Sequence, residues 1–248
     1  MKKCMLTLAA FVLCMAAFSQ TDDEPKKPSK ASWAYESYRN KRTRPPYGLE
    51  KVLNLIKTAP SVDDEGSTVL PSKIYASLTL REKFTYNMVH GESYSQNCDG
   101  GIATVDEEKK IWALLPDPLG EEHWSGRQTD FFNQNHDTVV ALMTESIERS
   151  HRVGVNYKNV IVEINATEMI PLLISTYNTD KKDHDILTLL MLLMLNNKYP
   201  PFMSSVSYTK LYANKESRWE SYLSFNAANE ALIIQRATDF YNGLPKKD

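Results

Sequence analysis

The chain has 248 residues, 42% of them hydrophobic, and a formal net charge of −2. Such mild acidity argues against a nucleic-acid partner, which needs a basic face. Its length suits one large domain or two small ones.

The first residues follow the pattern of a secretory signal. Lys2 and Lys3 form a positive start, 5–18 is a short apolar run, and Ala17-Phe18-Ser19 is a small-x-small cleavage site. Residues 1–19 are therefore expected to be removed, with Gln20 as the new N-terminus and a periplasmic or secreted destination. A buried N-terminal helix is the other reading, disfavoured by the acidic, proline-containing stretch that follows. A lipid anchor would use Cys14 or Cys4, and before Cys14 stands Leu13, where a small residue is wanted. Processing leaves 27 basic and 31 acidic residues, a charge of −4. Cys4 and Cys14 leave with the signal, so Cys98 remains alone. No internal disulfide can form, and stability must come from packing.

Residues 20–30 are charged, contain proline and hold no large apolar residue; they read as a disordered tether. A single all-helical domain is expected over 31–248. Residues 32–39 carry Trp33, Tyr35 and Tyr38 in a short aromatic helix. Leu49, Val52, Leu53 and Ile56 have helical spacing, and Pro60 stops that helix. The polar stretch 61–67 is a loop. Thr79 and Glu82 form a capping box ahead of a helix that aligns Leu80, Phe84 and Met88 and ends at Gly91, a good C′ residue. Residues 92–101 have no helical period and form a loop. A helix over 107–115 would turn Ile111, Trp112 and Leu115 inward. Ser125 caps a helix with Phe131 and Phe132. Asn135 or Asp137 caps the next, carrying Val139, Val140, Met143 and Ile147, and Gly154 breaks it.

The β-branched stretch 160–164 lacks clear alternation and a partner strand, so helix is the preferred reading. Pro171 falls in the first turn of a helix capped near Thr167, where proline is tolerated. The segment 186–195 is the centre of the expected fold. Nine of its ten residues are apolar, Thr188 being the exception. A helix apolar all round must be buried all round. At about 1.5 Å per residue it is roughly 15 Å long, too short to span a membrane. Asp183, His184 and Asp185 open it, where acids complement the helix dipole, and Pro200-Pro201 stop it. Helices over 205–212, 218–225 and 226–241 follow, the last with Leu232, Ile233, Ala237 and Phe240 as its stripe and Gly243 as its C′ residue. About nine helices and no convincing sheet result: an all-α, irregular multi-helix domain around 186–195. Residues 167–198, a helix with an early proline, an acidic turn and a second helix, resemble one HEAT-type unit. The resemblance implies an α-solenoid-like stack of helix pairs as a subtype, though no second copy recurs at about 40 residues.

The candidate site is the loop His90, Glu92, Tyr94, Gln96, Asn97, Cys98 and Asp99. Its binding residues are His90, Glu92, Tyr94, Gln96, Asn97 and Asp99. If the protein were an enzyme, Cys98 would be the nucleophile and His90 the base, giving a cysteine-dependent hydrolase or transferase. No papain-type or caspase-type signature surrounds Cys98, and its amide-rich, glycine-rich neighbours are those of a tight connection. His90-Gly91-Glu92 has the H-x-E spacing of zinc deaminases without their P-C-x-x-C partner. No metal motif is present. Asp183, His184 and Asp185 read as helix-end electrostatics, and Glu121, Glu122 and His123 as a solvated turn. Asn165-Ala166-Thr167 fits a sequon but reads as a capping segment. No phosphate-binding glycine motif occurs and no cofactor is expected. Thirteen tyrosines and four tryptophans could line a groove that stacks sugars or peptides, against the ordinary alternative of core burial. The reading that results is a non-catalytic binding or interaction module with a protein, peptide or glycan partner. An envelope-assembly subunit would instead expose a large apolar patch.

Overall fold

A computed structural model describes residues 27–64, 66–96 and 104–245. The leader, most of the tether, and Asn97, Cys98 and Asp99 lie outside the described residues. Ser29 caps α1 (Lys30–Arg39) by accepting the Ser32 N–H. The amphipathic α2 (Leu49–Lys57) buries Val52, and the short α3 (Ser72–Ser77) buries Tyr75. The Thr79–Glu82 capping box starts α4 (Leu80–Val89), which buries Phe84 and Met88 and leaves Leu80 exposed. Then come β1 (Ser93–Tyr94), a 3₁₀ turn over Glu107–Lys109, β2 (Lys110–Trp112) and β3 (Glu122–His123). A Ser125–Gln128 capping box starts α5 (Gly126–Gln134). Asn135 precedes α6 (His136–Ser150) without a side-chain cap bond. Gly154 opens α7 (Val155–Glu163), so the β-branched stretch is helical as expected. Pro171 sits in the first turn of α8 (Ile170–Asp180). The chain ends with α9 (His184–Asn196), α10 (Pro200–Met203), α11 (Val206–Tyr212), a 3₁₀ turn over Arg218–Glu220, β4 (Tyr222–Ser224) and α12 (Ala227–Asn242).

The protein is a multi-helix, mostly α-helical fold, with twelve helices among the described residues rather than nine. Residues 186–194 are all buried, Thr188 included. Burying each Leu or Met fully is worth about 1.5–3 kcal/mol, so this segment carries much of the core. Helices α7, α8, α10 and α12 and strand β2 pack around α9. Helices α7, α8 and α10 are its neighbours in the chain, but β2 and α12 come from further away, whereas a solenoid unit touches only its neighbours. Thr188, the polar exception, donates from its hydroxyl to the Trp112 carbonyl at 2.7 Å, so no polar atom is stranded there. A smaller apolar cluster of Val52, Leu70, Tyr75, Leu78 and Tyr86 sits beside the main core.

Four expectations need correction. Residues 107–115 are not helical: after one 3₁₀ turn, β2 pairs antiparallel with β4, with Lys110 opposite Ser224 and Trp112 opposite Tyr222. Residues 218–225 are likewise a 3₁₀ turn and a strand. Two small antiparallel pairs therefore exist, the second joining β1 to β3. In α12, Ile233, Ala237 and Phe240 face the core but Leu232 is exposed.

Candidate functional site

His90 ends α4 by leaving the helical conformation (φ −145°, ψ 137°), its N–H still donating to the Tyr86 carbonyl. Gly91 follows for a steric reason and not for a left-handed turn. A Cβ there would lie 2.7 Å from both the backbone N and O of His123, so only glycine lets β1 and β3 approach. This places the next side chain, Glu92, in a buried polar network. Its carboxylate accepts from the Tyr86 hydroxyl at 2.8 Å, from Ser125 Oγ at 2.6 Å, and from Arg127 through Nε at 3.2 Å and through Nη2. The Glu92 N–H donates to Gln128 Oε1, and Gln128 Nε2 donates to the His90 carbonyl.

His90 Nε2 lies 2.7 Å from the Thr68 carbonyl oxygen, and Nδ1 lies 3.4 Å from Glu122 Oε2. Both ring nitrogens thus face acceptors, which is the geometry of a doubly protonated imidazolium. Burial disfavours that charge, but the Glu122 carboxylate and the Thr68 carbonyl outweigh it and raise the pKa above the ordinary value. The Glu122 carboxyl is held below its usual range: burial opposes this, and His90 together with the Gly91 N–H, which donates at 2.9 Å, prevails. Glu122 and His123 therefore form a half-buried strand, not a solvated turn. Tyr94 donates from its hydroxyl to Glu121 Oε2 at 2.8 Å. Gln96 is exposed. The structure brings His90, Glu92 and Tyr94 together around the β1–β3 pair. Cys98, Asn97 and Asp99 lie outside the described residues.

The helix-end reading of Asp183, His184 and Asp185 is also corrected. Asp183 makes no side-chain cap bond. Its carboxylate meets Lys158 Nζ at 2.5 Å, and the lysine side chain is fully buried. Asp185 takes two donors from Arg39, Nη2 at 2.7 Å and Nε at 3.2 Å, while Arg39 Nη1 reaches Glu107 Oε1 at 2.5 Å. Burial raises the Asp183 carboxyl against the pull of Lys158. Burial acts on Asp185 too, but Arg39 and Lys158 win and lower it. His184 is neutral, lowered to about 4 by burial, and its ring stacks on Phe225 at 3.6 Å.

This ionic network forms the back wall of a cleft that the sequence did not announce. The cleft holds about 380 Å³ and is lined by Glu36, Arg39, Thr104, Glu107, Trp112, the 114–117 segment and Trp219. Glu107 is fully engaged: it accepts from Arg39, from Trp112 Nε1 at 2.8 Å and from the Thr104 hydroxyl. Trp219 is 68% exposed, and among the described residues no ring, cation or hydrogen-bond acceptor meets it. The signal that could have found it is local: Trp219 stands alone in Ser217-Arg218-Trp219-Glu220-Ser221, with no apolar neighbour to join in a core stripe.

Among the described residues, one group has ligand atoms spaced for a metal ion: His136, Asp137 and Glu168. Its imidazole bridges two carboxylates on opposite nitrogens, Nδ1 to Asp137 at 3.1 Å and Nε2 to Glu168 at 3.5 Å. It also sits at the N-terminus of α6, where the helix dipole disfavours a cation. No helix among the described residues is long and apolar enough to cross a membrane. Comparison with protein-family models, with curated proteins and with solved structures gave no match.

Proposed function

We propose that this chain is a non-catalytic binding module of an exported protein, and that its partner seats in the Trp112–Trp219 cleft. The observation that carries the reading is Trp219. A large ring left exposed and unpartnered at the mouth of a concave site is the kind of anchor that dominates binding energetics. The wall behind it is preorganised, since Arg39, Glu107 and Trp112 are already tied to one another, so a ligand would meet a rigid surface. The state of His90 supports the absence of thiol catalysis. A general base needs a free lone pair, and both of its nitrogens are committed to acceptors. Export rests on the leader pattern at 1–19.

The test is intrinsic tryptophan fluorescence and thermal shift against a panel of peptides and oligosaccharides, with Trp219→Ala in parallel. The expected result is a ligand that perturbs the wild-type emission and is lost in Trp219→Ala, whose melting temperature stays close to the parent because the ring is exposed. Equal binding by Trp219→Ala refutes the seat. Fast thiol labelling of native protein, with a depressed thiol pKa that returns to normal in His90→Ala, would refute the non-catalytic reading.

A further inference from the structure

We infer that the cleft between the α1–α2 connection and the end of α4 is a second binding site, and that it takes a phosphate monoester whose dianionic group sits among Lys41, Arg42 and Arg44. The cleft holds about 650 Å³ and is lined by Asn40, Lys41, Arg42, Arg44, Leu53 and Val89. It shares no lining residue with the Trp112–Trp219 cleft. Three of its six lining residues are cations and none is an acid, although the chain as a whole carries a net charge of −2. Cations gathered this closely repel one another, and a bound anion reverses that cost. Among the described residues, the Lys41 ammonium and the Arg44 guanidinium have no hydrogen-bond or ion-pair partner. Arg42 donates one N–H, from Nη2, to the Leu119 carbonyl at 3.0 Å, a neutral acceptor that leaves its charge uncompensated. Glu122 is the carboxylate that feels Arg42. Burial raises its carboxyl, and His90, the Gly91 N–H and lastly Arg42 lower it, but its oxygens are spent on His90 and Gly91.

The connection that carries these charges is fixed by its backbone. The Thr43 N–H donates to Asn156 Oδ1 at 2.9 Å, its carbonyl accepts from Asn156 Nδ2 at 2.8 Å, and its hydroxyl accepts from the Gly154 N–H at 3.0 Å. The Lys41 carbonyl accepts from the Val155 N–H at 3.3 Å and from Arg152 Nη2 at 3.2 Å. Glycine at 154 permits this approach, since a Cβ there would lie 2.3 Å from the Thr43 N and 2.4 Å from its Oγ1. Thr43 thus turns inward while Arg42 and Arg44 on either side of it are exposed. Charged heads on a tethered backbone form a preorganised anion seat. Arginine offers a planar fork of donors to an oxyanion and lysine a point charge. A carboxylate brings a single charge and two oxygens, whereas a phosphate monoester brings three oxygens and about −1.5 to −2 charges at neutral pH, which suits three cations better. Leu53 and Val89 are half-buried on the same wall and give the organic body of the ester an apolar surface to rest on.

The experiment titrates the full chain by calorimetry with phenyl phosphate, phenyl sulfate and inorganic phosphate, at about pH 7.5, where the phosphate group is dianionic. Phenyl phosphate is expected to saturate. Phenyl sulfate, which keeps the shape with one charge fewer, should bind at least about tenfold more weakly. Inorganic phosphate should also bind more weakly, for want of the ring. Raising salt from about 50 to about 500 mM should weaken phenyl phosphate. Lys41→Gln with Arg44→Gln should weaken it by about tenfold or more at an unchanged melting temperature, since both side chains are exposed and unpaired. Trp219→Ala should leave it unchanged, because that ring lines the other cleft. Failure of phenyl phosphate to saturate overturns the inference, as does full binding by the double variant or a loss in Trp219→Ala. Phenyl sulfate binding as tightly as phenyl phosphate overturns the dianion, and inorganic phosphate binding as tightly overturns the ester.

Discussion

Replacing Lys158 with Met isolates the worth of the buried ionic network. Methionine is close to lysine in volume and unbranched, so the packing of α7 is largely kept and the loss is electrostatic. The ammonium lies 2.5 Å from Asp183 Oδ1 and 3.7 Å from Asp185 Oδ2, with no exposure of the lysine side chain. Without it Asp185 keeps both donors of Arg39, whereas Asp183 loses the one cation that pairs with it among the described residues. Breaking a buried pair in this way costs about 3–5 kcal/mol. In a chain of this size about 1 kcal/mol moves the melting temperature by about 2–4 °C, so a drop of roughly 6–20 °C is expected. The pH dependence has a definite sign. Burial already raises the Asp183 carboxyl, and removing Lys158 raises it further. A carboxyl whose folded pKa exceeds its unfolded value, near 3.9 for aspartate, is most favourable to folding in acid. The deficit of Lys158→Met should therefore be smallest near pH 4 and grow as pH rises towards the raised folded value. Adding Asp183→Asn removes the stranded charge and should recover most of the loss. Calorimetric scans of the parent and both variants between about pH 4 and 8 test this. An unchanged melting temperature, or a deficit that is flat with pH and untouched by Asp183→Asn, would refute the reasoning.

Leu190→Asp, at a fully buried position midway along α9, should unfold the protein, since an unpaired buried charge costs several kcal/mol out of about 5–15 in total; an unaltered circular-dichroism melt would mean the helix is not central. Gly91→Ala forces a Cβ onto the His123 backbone and should lower the urea midpoint by the equivalent of about 1–3 kcal/mol, and an unchanged midpoint would show that β1 and β3 can separate freely. His90→Gln tests the imidazolium. The raised His90 pKa makes its contribution fully present below about pH 6.5 and lost as pH rises through the folded value; the lowered Glu122 pKa makes the carboxylate's contribution present above about pH 4.3 and lost as pH falls. The stability gap between parent and variant should peak between those limits, and a pH-independent gap would count against the charged pair.

The parts of the fold legible in the sequence are those encoded locally. Thr79 and Glu82 mark the start of α4 three residues apart, and nine apolar residues in ten announce the burial of α9. The misread segments depend on distant partners. Ile111, Trp112 and Leu115 have a spacing compatible with a helix, but β2 is stabilised by pairing with Tyr222–Ser224, and nothing near residue 110 encodes that strand. Asp183 and Asp185 look like helix-end acids because their cations, Lys158 and Arg39, lie 25 and 146 residues away. Of the suspected loop, His90 and Glu92 were found through their chemical type, yet the residues that occupy them, Glu122, Ser125, Arg127 and Gln128, lie in a segment that read as a solvated turn and a helix cap. The cleft is assembled from α1, β2 and the 218–220 turn, so no single stretch of sequence displays it.

Synthesis order and burial order are opposed in this chain. Helix α9 emerges from the ribosome complete at Asn196, but one of the elements that covers it, α12, begins at Ala227. Until Ile233, Ala237 and Phe240 dock, α9 presents an open apolar flank that a sister chain could occupy as readily as the proper helix. Helix α12, made after the helix it covers, is therefore the seal of the core. Removing residues from Ala227 onward takes away interior, however peripheral such a deletion looks on paper, and the truncated product should be found in aggregates and not in the soluble fraction.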